Sequence, residues 1–220
     1  AFTAAHGRLA MVARGARRPR SPLAGGTRAF RPVQIAWSGR GEVGTMTRAE
    51  AQGPGWHFTG TVLASAMYLN ELLYRLLPRH DPAATLFGQY AAALERLGSG
   101  AAPEPVLRLF ELQLLDTLGY APVLEYEAES GLPVSAGTVY RYEPEAGPRP
   151  ASAGAAGIEV RGASLLALAA GRLDDAQVLR DRVASRVGEV RHDEGAEHVV
   201  VGEHRRRQPA DLTHRGRGRP

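Results

Sequence analysis

Cysteine and lysine are both absent from this 220-residue chain. Without cysteine there is no disulfide, no thiolate nucleophile and no cysteine-based zinc site. Without lysine, all 27 basic side chains are arginines, and with 26 glycines and abundant alanine this reflects biased codon usage, not function. Acids are missing from the whole of Ala1 to Gly41. Long apolar runs are missing as well: none reaches the roughly 18 residues that span a bilayer, so no membrane partner is expected. Ala1 to Ala5 has neither the basic start nor the apolar middle of a signal peptide. The chain opens without Met and in mid-pattern, and further residues are expected upstream.

What is present permits a packed core, since hydrophobic residues make up an ordinary 44% of the chain. The formal net charge of +4 is unevenly spread. Residues 1–40 and 205–220 are basic, and the middle is near neutral or acidic. Such asymmetry points to nucleic acid or to an acidic surface. The densest cationic stretch, His6 to Arg31, holds Arg8, Arg14, Arg17, Arg18, Arg20, Arg28 and Arg31. A run of like charge is often only a solvated face. Here it begins on a strand-like segment, Arg8 to Ala13, where Leu9, Met11 and Ala13 alternate with other residues. It then enters a loop marked by Gly15, Pro19, Pro22, Gly25 and Gly26. Arginine on such a loop suits a phosphate backbone, because its planar fork binds phosphate bidentately and stacks on exposed bases.

Phe30 to Ser38 predicts a second strand with Val33, Ile35 and Trp37 on one face. Val43 to Ala49 predicts a third, with Val43, Thr45, Thr47 and Ala49 alternating, and Gly39-Arg40-Gly41 is the hairpin turn between them. Short strands with glycine turns make a small barrel or sandwich. Thr59 to Leu77 predicts a helix with Leu69, Leu72, Leu73, Leu76 and Leu77 on one face, stopped by Pro78. Asp81 and Pro82 read as a cap and first turn of a second helix ending near Leu97. It carries Leu86, Phe87, Tyr90, Leu94 and Leu97. A third, from about Pro105, carries Leu107, Phe110, Leu114 and Leu118 and stops at Gly119. Glu125 to Gly147 reads as an irregular polar hairpin with Tyr140 and Tyr142 on one side of a short strand, and Pro148 to Gly157 as a linker. Ser164 to Ala170 is a short helix, and Asp174 caps another bearing Val178, Leu179 and Val183. Beyond about Ser185 no period survives, and a disordered basic tail is expected.

Three constellations invite chemistry, each with a plainer reading. Gly39-x-Gly41-x-x-Gly44 matches a dinucleotide fingerprint, but strand residues follow it where that fold needs a helix, so hairpin glycines explain it. His80-Asp81 looks like a catalytic pair, yet a loop residue and a helix cap account for both. No nucleophile elbow or metalloprotease motif accompanies it. His192, His198 and His204 lie among acids on a segment with no visible scaffold, so no metal is expected there.

Three blocks, HGRLAMVARGARRPRSPL (6–23), YLNELLYRLLPRHDPAATLF (68–87) and LRLFELQLLDTLGYAP (107–122), together with ESGLPV and YRYEPEAG, resemble the bacterial RecO recombination mediators in order and approximate spacing, over roughly residues 1–182. The resemblance implies an α+β protein: an N-terminal OB-fold-like small β-barrel, then a helical domain with an irregular hairpin insertion. On this chain that places a nucleic-acid-binding domain at 1–55, the helical domain at 56–184 and the basic tail at 185–220. It implies a cytoplasmic, nucleoid-associated, non-enzymatic protein of DNA repair and recombination. Such a protein binds single- and double-stranded DNA, anneals strands, engages the acidic tail of single-stranded-DNA-binding protein, and with RecR assists RecA loading. The residues expected to meet nucleic acid are Arg8, Arg14, Arg17, Arg18, Arg20, Arg28, Arg31, Arg40 and Trp37. No catalytic residue, cofactor or metal is expected. The alternatives are a generic RNA-binding barrel and a partner-binding helical module with an incidental basic start.

The chain departs from the family pattern in three places. About two strands that usually precede the HGRL block are not seen, so an incomplete barrel with an exposed edge is expected. Glu127 stands where relatives carry the first cysteine of their hairpin. After QVLRDRV the chain turns polar and arginine-rich where relatives continue with an apolar helix. On these grounds the helices, about Thr59 to Val183, are expected to be the stable unit.

Overall fold

The structure is a computed structural model that describes residues 1–39, 41–143, 146–151, 158–173 and 202–204. It opens with two short strands, β1 (Phe2–Thr3) and β2 (Gly7–Arg8), paired antiparallel. β3 (Ala10–Val12) lies parallel to β5 (Val43–Ala51), which pairs antiparallel with β4 (Val33–Ser38). β9 (Gly202–His204) runs parallel to β4, giving the order β3-β5-β4-β9. Among the described residues these sheets do not close into a barrel. The class is α+β, as the sequence predicts, with strands first and helices after.

The hairpin of β4 and β5 forms where expected, but the alternation on β5 does not hold. Ala36 pairs with Arg48 and Trp37 with Met46, so Thr47 is an extra residue, a β-bulge. The bulge shifts the phase: Gly44, Met46 and Ala49 are buried, while Val43 and Thr47 are exposed. A small core of Leu23, Val33, Ile35, Met46 and Ala49 lies on this face.

Three helices come next: α1 (Gly60–Leu76), α2 (Ala84–Gly98) and α3 (Pro103–Thr117). Their apolar stripes meet in the main core, with Leu69, Leu73, Leu86, Tyr90, Leu94, Phe110 and Leu114 each at most 2% exposed. Phe2 and Phe30 belong to the same core. The Phe2 ring lies 5.6 Å from Phe87 and 6.1 Å from Tyr90, and Phe30 lies 5.2 Å from Phe58. Packing thus runs across the expected break at residue 55.

Asp81 does not cap α2. The helix starts at Ala84 with no side-chain cap. The preceding loop instead receives β2: the His80 N–H donates to the Arg8 carbonyl at 3.0 Å, and Arg8 and Arg79 form a parallel bridge. Gly7 makes the approach possible. Its φ is +59°, and a Cβ there would stand 1.8 Å from the Asp81 carbonyl oxygen. A local capping signal yields here to a tertiary contact.

After α3, residues 125–134 form the irregular hairpin, closed by Val134 N–H to the Glu125 carbonyl at 2.8 Å. The described residues between 139 and 161 are more regular than predicted. β6 (Val139–Glu143) is flanked antiparallel by β7 (Gly147–Pro150) and β8 (Ile158–Arg161). The expected linker therefore begins as an edge strand, where proline is tolerated because its missing N–H faces outward. Tyr140, Tyr142 and Val160 pack on α4 (Gly162–Ala169) in a second core, against which Leu109 and Leu112 of α3 also lie. The helix expected from Asp174, the rest of the linker, and the tail apart from 202–204 lie outside the described residues. At 202–204 the tail is a strand, because the free edge of β4 offers unpaired N–H and C=O groups. Among the described residues no helix is long and apolar enough to cross a membrane.

Candidate nucleic-acid interface

The sequence between β3 and β4 is fastened to the sheet at its apolar residues. Leu23 is buried in the small core, and Ala13 and Ala16 pack against it. Successive turns link the anchors, with Ala16 N–H to Ala13 O at 3.2 Å, Arg18 N–H to Gly15 O at 3.0 Å and Ser21 N–H to Arg18 O at 3.1 Å. With the alanines and Leu23 turned inward, Arg14, Arg17, Arg18 and Arg20 are exposed. Arg28, past a 3-10 turn at Ala24–Thr27, is exposed too. None of these five makes an ion pair with a described residue. Their field extends about a Debye length, roughly 10 Å at 0.1 M salt.

The other predicted residues are placed differently. Arg8 turns toward the helices: its Nε donates to the Leu77 carbonyl at 3.1 Å and its guanidinium lies 5.0 Å above the Tyr74 ring. Arg31 is half-buried, with its stem beside Gly55. Arg40 lies outside the described residues. Trp37 is half-buried at the margin of the small core, edge-on to His6 with centroids 5.3 Å apart. The structure adds His6, Arg79 and His80 to this neighbourhood. Arg79 reaches Glu42 at 3.9 Å. No local pattern could have grouped them, since they come from separate segments joined only by the fold.

The helical region carries a different kind of charge. Glu111 on α3 is only 4% exposed. Arg108 donates to its two oxygens at 2.9 and 2.7 Å, and the Tyr68 hydroxyl donates at 2.9 Å. Burial raises the Glu111 carboxyl above the ordinary carboxylate range, against the opposing pull of Arg108 and both hydrogen bonds. The network ties α1 to α3. Separately, α2 and α3 enclose a shallow cavity of about 90 Å³ floored by Ala93, Val106 and Phe110 and rimmed by Arg96.

No cluster of three His, Cys, Asp or Glu suited to a metal occurs among the described residues. Glu127 accepts hydrogen bonds from Ser130 Oγ at 2.5 Å and from the Tyr140 hydroxyl at 3.2 Å.

Two family models divide the chain: Recombination protein O N terminal matches residues 1–54, and Recombination protein O C terminal matches residues 57–182. The chain belongs to the RecO family. Curated relatives agree. The DNA repair protein RecO of Methylococcus capsulatus is 46% identical over 176 residues, 80% of this chain and 72% of that protein. That of Azoarcus sp. is 46% identical over 182 residues, 81% and 75% of the two chains. That of Nitrosococcus oceani is 46% identical over 175 residues, 79% and 71%. This RecO-family chain is thus a DNA repair protein.

Proposed function

We propose that the chain binds single- and double-stranded DNA through the arginine loop and holds two strands together while they anneal. The observation that supports this reading is the row of exposed arginines, Arg14, Arg17, Arg18, Arg20 and Arg28, on an acid-free loop fastened to a sheet. Phosphates neutralised by guanidinium groups release counterions, and two strands so screened approach without repulsion. The cavity between α2 and α3, apolar in its floor and cationic at Arg96, has the chemistry to take the acidic tail of single-stranded-DNA-binding protein. RecR would join on the helical side, and the assembly would assist RecA loading. The reading has no hydrolytic step, no cofactor and no metal, and it places the protein in the cytoplasm on the nucleoid.

The test is a fluorescence titration with a single-stranded oligonucleotide at several salt concentrations. Affinity is expected to fall with a log–log slope of about −0.7 per phosphate contacted. Replacing Arg14, Arg17, Arg18 and Arg20 with Ala is expected to flatten the slope and weaken every sequence alike, because phosphate contacts carry little base information. A flat salt response in the parent chain would refute the proposal, and a preference for RNA over DNA would move it to the RNA-binding reading.

A further inference from the structure

Where the strands meet the α1–α2 loop, the surface encloses a cavity of about 190 Å³. Trp37 and His6 form one side, already set edge-on to each other at 5.3 Å. His80, held at φ 62° by the α1–α2 loop, contributes from another. The remaining wall is made by Leu9, Ala10 and Met11 and by Gly39, Gly41 and Gly44, the three glycines of the dinucleotide-like motif. Gly44 is the informative one. It sits on β5 between Met11 and Trp37, and a Cβ there would come within 3.0 Å of the indole Cδ1 and 3.6 Å of Met11 Cγ. The slot beside the indole exists because this position has no side chain.

We propose that this cavity receives one unpaired nucleobase of a bound strand, stacked or packed against Trp37. The inference rests on the DNA-binding reading above and specifies a subsite within it. The volume lies below the roughly 300–1,000 Å³ of sites that enclose drug-sized ligands, so it suits one planar ring and not a dinucleotide. The walls suit a base: an indole face, polar imidazoles, and glycine backbone able to meet ring edges. The surroundings suit a polyanion. β3, which carries Met11 in the wall, leads directly into Arg14 and the arginine loop. Of the two acids next to its lining residues, Glu42 lies 3.9 Å from Arg79 and Asp81 follows His80 in the α1–α2 loop. The motif that fails as a dinucleotide fingerprint thus has a use here, because its glycines clear space.

The experiment uses the full chain carrying Trp56→Phe, which leaves Trp37 as its sole tryptophan. Its emission is followed while a short oligothymidylate, an abasic oligomer with the same number of phosphates, and thymidine monophosphate are titrated in turn. Oligothymidylate is expected to quench Trp37 and to bind roughly 5- to 150-fold more tightly than the abasic oligomer. Gly44→Val, which fills the slot, is expected to abolish that gap while leaving abasic binding unchanged. Because a branched side chain at this position could disturb the strand, His80→Asn serves as a second variant. Asn accepts the left-handed backbone there and removes the ring, and it is expected to narrow the gap. Equal affinity and equal emission for the base-bearing and abasic oligomers would overturn the base subsite and leave phosphate binding standing. So would an undiminished gap in both variants, whereas monophosphate binding as tight as that of the oligomer would overturn the phosphate-backbone reading on which the subsite rests. Binding of neither oligomer would overturn both readings together.

Discussion

Tyr140 and Tyr142, two residues apart on one face of β6, are both buried but differ at their hydroxyls. Tyr140 accepts from the Ser135 N–H at 2.9 Å and donates to Glu127 at 3.2 Å. The Tyr142 hydroxyl is buried with no partner among the described residues, and burial pushes its pKa up to about 12. Deleting a satisfied hydroxyl is expected to cost about 0.5–1.5 kcal/mol, whereas deleting an unsatisfied one removes a desolvation penalty. Urea unfolding is therefore expected to rank Tyr140→Phe below the parent and Tyr142→Phe level with or above it. The reverse ranking would contradict the geometry. Glu111 yields a pH prediction. Its raised pKa means that the folded chain holds the proton more tightly than the unfolded chain. That contribution is complete below the ordinary glutamate value of about 4.3, and it is lost as pH rises through the higher folded value. Relative to Glu111→Gln, the parent is expected to lose stability as pH rises above the ordinary glutamate value of about 4.3. Parallel stability curves for the two proteins would refute this.

Among the elements, α1, α2 and α3 were legible because a 3.6-residue stripe and its proline or glycine stops are local signals. Where a distant segment decides, local signals mislead. The phase of β5 is set by a bulge at Thr47 that no alternation announces. Asp81 has the chemistry of a cap, yet its loop is occupied in receiving β2. Pro148 to Pro150 looks like the start of a linker because proline rarely enters strands, but an edge position accepts it. The arginine loop was legible as charge. The inward turn of Arg8 was not, since its partner Leu77 is 69 residues away. The elements also differ in strength. The main core holds fifteen buried side chains among the described residues and the small sheet core five. Hydrogen exchange is expected to be slowest in the interiors of α1–α3 and fast over 14–21, where the bonds are local turns. Equal protection of the open sheet and the helices would mean that another chain or pairing closes the sheet.

The whole molecule is held together across the strand and helix regions by Phe2, which is fully buried against Phe87 and Tyr90. Phe2→Ala is expected to cost about 3–5 kcal/mol and to lower one shared thermal transition. Two separate transitions in the parent chain would show that the regions unfold independently. The clasp between β2 and the α1–α2 loop adds an order in time. Arg8 has no Leu77 to bind until the ribosome has added 69 further residues. At about 5–20 residues per second that is a wait of roughly 3–14 s. Throughout it, the newborn chain presents an acid-free arginine segment beside ribosomal RNA before the helices that secure it exist. The contact that clasps these strands to the helices must wait for distant chain, while the ribosome's own polyanion is at hand from the start.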